Sequence, residues 1–346
     1  MARRMMGLRA IAVCVCVGMG LSGGGAAVAA EPAVGTGDGT AAPAINGDLG
    51  GGGPDPDWAL TPDSQQAKDK LALADAWMRA VKKAKDKIKQ NGSTVSALSA
   101  TSTNNIFAEY NSLVANYEAT YGAEAPLGPV AGTSSGGGIV PMVAGPPTYI
   151  PPPSYTLPVV HSPQTKTYYC GPATGYMILK LKGRTSASGT GASLSQAALG
   201  GTSYMKTDVN KSTSEGAVGG KYYMAVGLNK WSYGTESGYY VPTSITSKSQ
   251  LSTMFLYSIF AYEPFAVSTI EYAGTGNPHY NAHPARLIGH WVVGIGYTSS
   301  GAGLVVDDPV ADAPALAGLG YDDAEARYFP TASSFLTFVQ GRRSVW

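Results

Sequence analysis

The chain has 346 residues, 44% of them hydrophobic and 14% charged, with a formal net charge of +1. That length and apolar content suffice for one sizeable core and a smaller added element. The near-neutral balance, with no Lys/Arg stripe interleaved with aromatics, excludes a polyanion-binding protein, so nucleic acid is not an expected partner.

Residues 1–30 read as a secretory signal peptide: Arg3, Arg4 and Arg9 accompany an apolar run over 11–21, and Ala27-Val28-Ala29 supplies the small residues of a cleavage site. The mature protein is therefore expected to be secreted, extracellular or wall-associated, with general secretory and twin-arginine export both open. The apolar run is short and Gly-rich, and no later stretch reaches the roughly 20 apolar residues of a span. No stable membrane anchor is expected. Of three cysteines, Cys14 and Cys16 lie in the signal, which leaves Cys170 as the thiol of the mature chain and predicts no disulfide.

Residues 31–57, rich in Gly, Ala and Pro, predict a flexible leader. Residues 58–122 predict a small helical hairpin. Thr61 reads as an N-cap before Pro62, and Leu71, Ala74, Trp77 or Met78, Val81, Ala84 and Ile88 recur at helical spacing. A second stripe runs through Ile106, Tyr110, Leu113, Tyr117 and Tyr121 to a stop at Gly122. Residues 123–158 carry a run of glycines at 136–138 and of prolines at 151–153, which reads as a linker or strap.

Residues 159–346 predict an α+β domain. Cys170-Gly171-Pro172-Ala173 opens a helix, with proline near its first turn. Further helices are predicted over 193–199 and 249–257, the latter capped by Thr246 or Ser247. Strands are predicted over 265–270, 291–297, 303–306 and 326–329 and around Ser344. The short loop 298–302 makes a hairpin that brings His290 and the Asp307-Asp308 pair to the same end of neighbouring strands.

This order of residues carries chemistry. A thiol needs an imidazole to take its proton, the imidazole needs an acid to hold its tautomer, and the developing oxyanion needs donors. A helix N-terminus and a nearby imidazolium both favour a thiolate. Cys170, His290 and Asp308 fit these roles, with Asp307 the alternative orienter because one residue of register exchanges the two carboxylates. His279 and His283 are four apart, but Pro278 and Pro284 argue against the helix that a metal pair at this spacing requires. They are placed at a cleft entrance, His161 is taken as incidental, and no metal or cofactor is expected. The tyrosines at 222, 223, 233, 239 and 240 beside Trp231 read either as aromatic core or as a stacking rim for peptide or glycan.

Gln164 six residues before Cys170, then Cys-Gly-Pro-Ala, Gly-His-Trp-Val-Val-Gly-Ile-Gly-Tyr at 289–297 and Val-Val-Asp-Asp-Pro at 305–309 resemble the papain-like bacteriocin-leader peptidases of family C39, and more closely their stand-alone C39-like relatives. The resemblance implies a papain-like fold, with the nucleophile heading a central helix packed on an antiparallel sheet. It implies Cys170 as nucleophile, His290 as general base, Asp308 as orienter and Gln164 as oxyanion donor beside the Cys170 backbone N–H. Tyr169, Gly171, Gly289 and Trp291 would then line the cleft.

The implied function is an exported cysteine peptidase acting on a peptide or protein substrate. A peptidoglycan stem-peptide amidase acting on cell-wall peptide, and a non-catalytic papain-fold binding protein, are the alternatives. The hairpin and linker lie outside the resemblance. Inhibitory propeptide, substrate-recruiting arm and inert spacer all remain open for them.

Overall fold

The computed structural model of the chain describes residues 63–90, 98, 100–127, 150–214 and 218–346. The expected export signal, the expected leader, the expected cap at Thr61 and most of the expected linker lie outside the described residues. Helix α1 (Gln65–Gln90) is capped by Ser64, whose Oγ accepts from the Ala67 N–H at 3.2 Å. Leu73, Ala74, Trp77, Ala80, Val81 and Ala84 form its buried stripe.

Helix α2 (Ala100–Tyr121) stops at Gly122, which takes φ +60° and donates its N–H to the Glu118 carbonyl at 2.9 Å. Its buried face runs through Phe107, Tyr110, Val114 and Tyr117. Tyr110 and Tyr117 of the expected stripe are central to it, Phe107 and Val114 extend it, and Ile106, Leu113 and Tyr121 pack at its edge.

The hairpin shares a core with the α+β domain. Trp77 packs on Tyr257 and Phe260, with ring centroids 5.6 and 5.2 Å away, and the buried Lys70 donates to the Tyr239 carbonyl at 2.8 Å. Asp63 accepts from the Ser244 N–H at 3.0 Å and pairs with Arg343. These contacts involve none of the predicted site residues.

Strand β1 (Tyr155–Thr156), at the end of the predicted linker, is followed by α3 (Cys170–Leu181), α4 (Gln196–Gly200), α5 (Thr207–Asn210) and α6 (Tyr223–Tyr233). Then come β2 (Pro242–Ser244), α7 (Lys248–Phe260), β3 (Phe265–Glu271), β4 (Ile288–Thr298), β5 (Gly303–Asp307), β6 (Arg327–Tyr328), α8 (Ala332–Val339) and β7 (Arg343–Val345). The sheet is ordered β2-β7-β3-β4-β5-β6, with β1 pairing β4, and its ladders are antiparallel. An α+β architecture with an antiparallel sheet is thus observed.

Helices α6 and α8 were not signalled by the patterning. Trp231, Tyr239 and Tyr240 are buried, so the aromatic-rich middle supplies core, and Tyr239 offers its ring to the Lys70 ammonium at 3.8 Å. The cap of α7 is Ser247, whose side chain accepts from the Gln250 N–H.

Candidate active site

Cys170 is the first residue of α3 and is 1% exposed. The segment before it is held at both ends. The Gln164 N–H donates to the Pro309 carbonyl at 2.8 Å, and the buried Tyr169 hydroxyl donates to Asp208 at 2.8 Å. Lys166 donates to the same Asp208 at 2.7 Å. The turn that delivers the thiol to the helix start is therefore pinned beside the end of β5.

His290 is the third residue of β4, paired in register with Thr269 of β3. Its Nε2 donates to Asp308 Oδ1 at 2.8 Å. That leaves Nδ1, buried and without another hydrogen-bond partner, for the Cys170 thiol, with which the ring interacts. Burial alone would lower the imidazole's pKa; the Asp308 charge and hydrogen bond, followed by Cys170, outweigh burial and raise it to about 10.

Asp308 follows β5 directly and is fully buried. Its Oδ1 accepts from His290 Nε2 and from the Val310 N–H at 3.1 Å. Its Oδ2 accepts from Asn281 Nδ2 at 2.9 Å and His283 Nε2 at 3.1 Å. Burial would push this carboxyl's pKa up, but the two histidines hold it well below the usual carboxylate range.

Asp307 points the other way: its Oδ1 meets His161 Nδ1 at 2.7 Å. Of the two acids, the structure brings Asp308 to His290 and Asp307 to His161. His161 is therefore engaged rather than incidental.

Gln164 is placed beside the site but turned into its own loop. Its Nε2 donates to the carbonyls of Lys166 at 2.9 Å and Thr167 at 3.0 Å, while Oε1 is buried without a partner. Both amide hydrogens are thereby used, and donation to an oxyanion requires exchange of one of these bonds.

The expected cleft-lining residues lie under cover in this conformation. Tyr169, Gly171 and Trp291 are buried and Gly289 is half-buried. Thr213 packs on Gly171 and accepts the Trp291 indole N–H on its carbonyl at 2.7 Å. The Thr213 hydroxyl is in turn held by Thr207 at 2.6 Å.

His283 is not at an entrance but is buried between two acids, Asp308 and Glu271, meeting the latter through Nδ1 at 2.7 Å. Its place was concealed by the loop that carries it: consecutive residues Asn281 and Ala282 take φ +46° and +58°, a turn that patterning does not reveal. His283, His290 and Asp308 offer ligand atoms within 4.8 Å of one another, the one such group among the described residues. Hydrogen bonds between these atoms already account for their approach.

A thiol at a helix N-terminus, an imidazole beside it and a buried carboxylate behind the imidazole form the arrangement used by thiol-dependent hydrolases. Residues 156–327, from β1 to the start of β6, match the Peptidase_C39 like family. Through that segment the chain belongs to the C39-like family of papain-like cysteine peptidases, and a peptidase-like function on a peptide or protein follows from that membership. No curated protein and no solved structure matches the chain. No helix among the described residues is long and apolar enough to cross a membrane.

Proposed function

We propose that the protein is an exported cysteine peptidase that hydrolyses peptide bonds through an acyl-enzyme on Cys170. The observation that carries this reading is the division of the two His290 nitrogens, Nε2 on Asp308 and Nδ1 left for the thiol. The thiol proton is carried by His290, and Cys170 Sγ attacks the peptide carbonyl carbon. The tetrahedral intermediate collapses to a thioester, and the leaving amine takes the proton from His290. Water then gives a proton to His290 and attacks the thioester; collapse releases the acid and returns the proton to sulfur. Gln164 serves the oxyanion in this scheme by exchanging one loop carbonyl for the substrate oxygen. Cys170 is 1% exposed, so substrate entry requires local movement around the thiol. The N-terminal Arg-led apolar run is the ground for export.

The test uses the purified protein at neutral pH with a limiting thiol alkylator, compared with Cys170→Ala and His290→Ala and read by intact mass. Fast labelling of Cys170 that slows without His290 supports the reading, and hydrolysis is then sought among peptides and wall fragments. Slow labelling that is indifferent to His290 overturns it.

A further inference from the structure

Beyond Cys170, His290 and Asp308, a buried polar chain continues away from the thiol. Glu271, the last residue of β3, is 1% exposed. Its Oε1 meets His283 Nδ1 at 2.7 Å, and its Oε2 accepts from the Tyr280 N–H at 2.8 Å. His283 Nε2 then meets Asp308 Oδ2 at 3.1 Å. The ring is enclosed by Tyr280, Tyr321 and His290, at centroid distances of 5.2, 5.1 and 5.5 Å.

We propose that His283, backed by Glu271, is a positioning residue that fixes the Asp308 carboxylate and through it the orientation of His290. Asp308 has four acceptor sites and four donors on them, so its rotation about the terminal bond is blocked only while each donor stays. Asn281 and Val310 belong to loops, and Asn281 Nδ2 is shared with the Glu325 carbonyl at 2.8 Å. Apart from His290 itself, on β4, His283 is the donor that ties Asp308 to the sheet, and it does so through Glu271 of β3. An imidazole with both nitrogens on carboxylates donates from both when it carries two protons, and a cation between two anions offsets the burial of three charged groups. Ala282 in the left-handed region is a further cost, one that places His283 in reach of both acids.

This inference rests on the Cys170–His290 reading, and its test separates the two. Full-length mature protein is compared as wild type, His290→Ala, His283→Phe and the double variant Glu271→Gln/His283→Gln. Two signals are followed: the low-field proton resonance of the His290 N–H bonded to Asp308, and the rate of Cys170 alkylation.

His283→Phe fills the space among the rings but donates nothing. It should move or broaden the His290 resonance and slow alkylation by roughly ten- to a hundredfold, the scale of a hydrogen bond to a charged group. The double variant re-forms the chain without charge, amide 271 donating to amide 283 and amide 283 to Asp308. It should return the rate to within about threefold of wild type, which a packing role would not achieve. If His283→Phe does not fold, His283→Gln alone replaces it, since one carboxylate then faces the amide oxygen. An unchanged resonance and rate in the single variant, or slowing that the double variant does not relieve, overturns the proposal. Wild-type alkylation indifferent to His290→Ala would fail the peptidase reading instead, and the resonance would still decide the role of His283.

Discussion

Asp307 and Asp308 are neighbours in the chain, yet they serve opposite faces at the end of β5: Asp307 holds His161 at 2.7 Å and Asp308 holds His290 at 2.8 Å. Alternation along an extended chain separates them, and the neighbouring strand β4 presents His290 to one face only.

The two acids should therefore respond differently to the same change. Asp308→Asn places an amide N–H₂ against the donors His283, Asn281, His290 or Val310, and should slow Cys170 alkylation by roughly ten- to a hundredfold. Asp307→Asn, which touches neither Cys170 nor His290, should leave the rate within about threefold. Comparable losses in both variants would show that the pair acts as a unit on the imidazole.

Much of this site could be read from the chain because its chemistry is ordered along it. Cys170 before Gly171-Pro172 predicts a helix start, and the 298–302 loop predicts the hairpin that joins His290 to Asp308. What escaped was set by backbone conformation and depth. His283 reaches Asp308 through two left-handed residues, and the carboxylate that completes its setting, Glu271, is distant in sequence. The alternation that sends Asp307 to His161 was available as a signal, since adjacent strand residues face opposite ways. Helix α6 was missed because Trp231, Leu228, Met224 and Val226 are all buried, leaving no polar face to mark its period. The hairpin's amphipathic stripes were visible, but not the sharing of its core with Tyr257 and Phe260.

The imidazole of His290 makes stability depend on alkaline pH. Its folded-state pKa is raised from 6.5 to about 10, so its contribution is complete below about 6.5 and is lost as pH rises towards 10. Asp308 runs the other way, its contribution being present above the ordinary carboxylate range and lost as pH falls through and below it. In urea unfolding, wild type should lose stability relative to His290→Gln between pH 6.5 and 10, the difference between the two isolating the imidazole from groups such as Lys70 that titrate with the opposite sign. Equal slopes in the two proteins would mean that the imidazole is not held charged.

Gly171, next to Cys170, leaves room for Thr213. A Cβ there would lie 2.1 Å from Thr213 Oγ1, and the Thr207 hydroxyl holds that side chain in place. Gly171→Ala should lower stability by about 1–3 kcal/mol, the range for forcing an extra carbon into a packed site. Gly276→Ala, where nothing lies within 4 Å of the added carbon, is the control and should be neutral. If Gly171→Ala matches that control in stability, Thr213 does not pack on the helix start.

Lys70 tests how firmly the hairpin is joined to the peptidase-like core. Its ammonium is fully buried, donates to the Tyr239 carbonyl and lies 3.8 Å from the Tyr239 ring centre, and burial lowers its pKa to about 7 despite the opposing charge of Glu263. The unfolded chain binds this proton more tightly than the folded one. The burial penalty is therefore largest below about pH 7 and is relieved as pH rises towards 10.5. Lys70→Met keeps the length and apolar stem, removes the charge and leaves the carbonyl without its donor. These effects oppose each other, so stability at pH 7 should change by less than about 2 kcal/mol. The rise in stability that Lys70 contributes between pH 7 and 10.5 should disappear, and comparing the variant's slope with wild type isolates it. Unfolding should remain a single transition in both proteins, because Trp77 and Tyr110 pack on the same Tyr257 as the sheet-side residue Trp346. A separate early transition in wild type, with the Lys70 slope confined to it, would mean that the hairpin unfolds on its own.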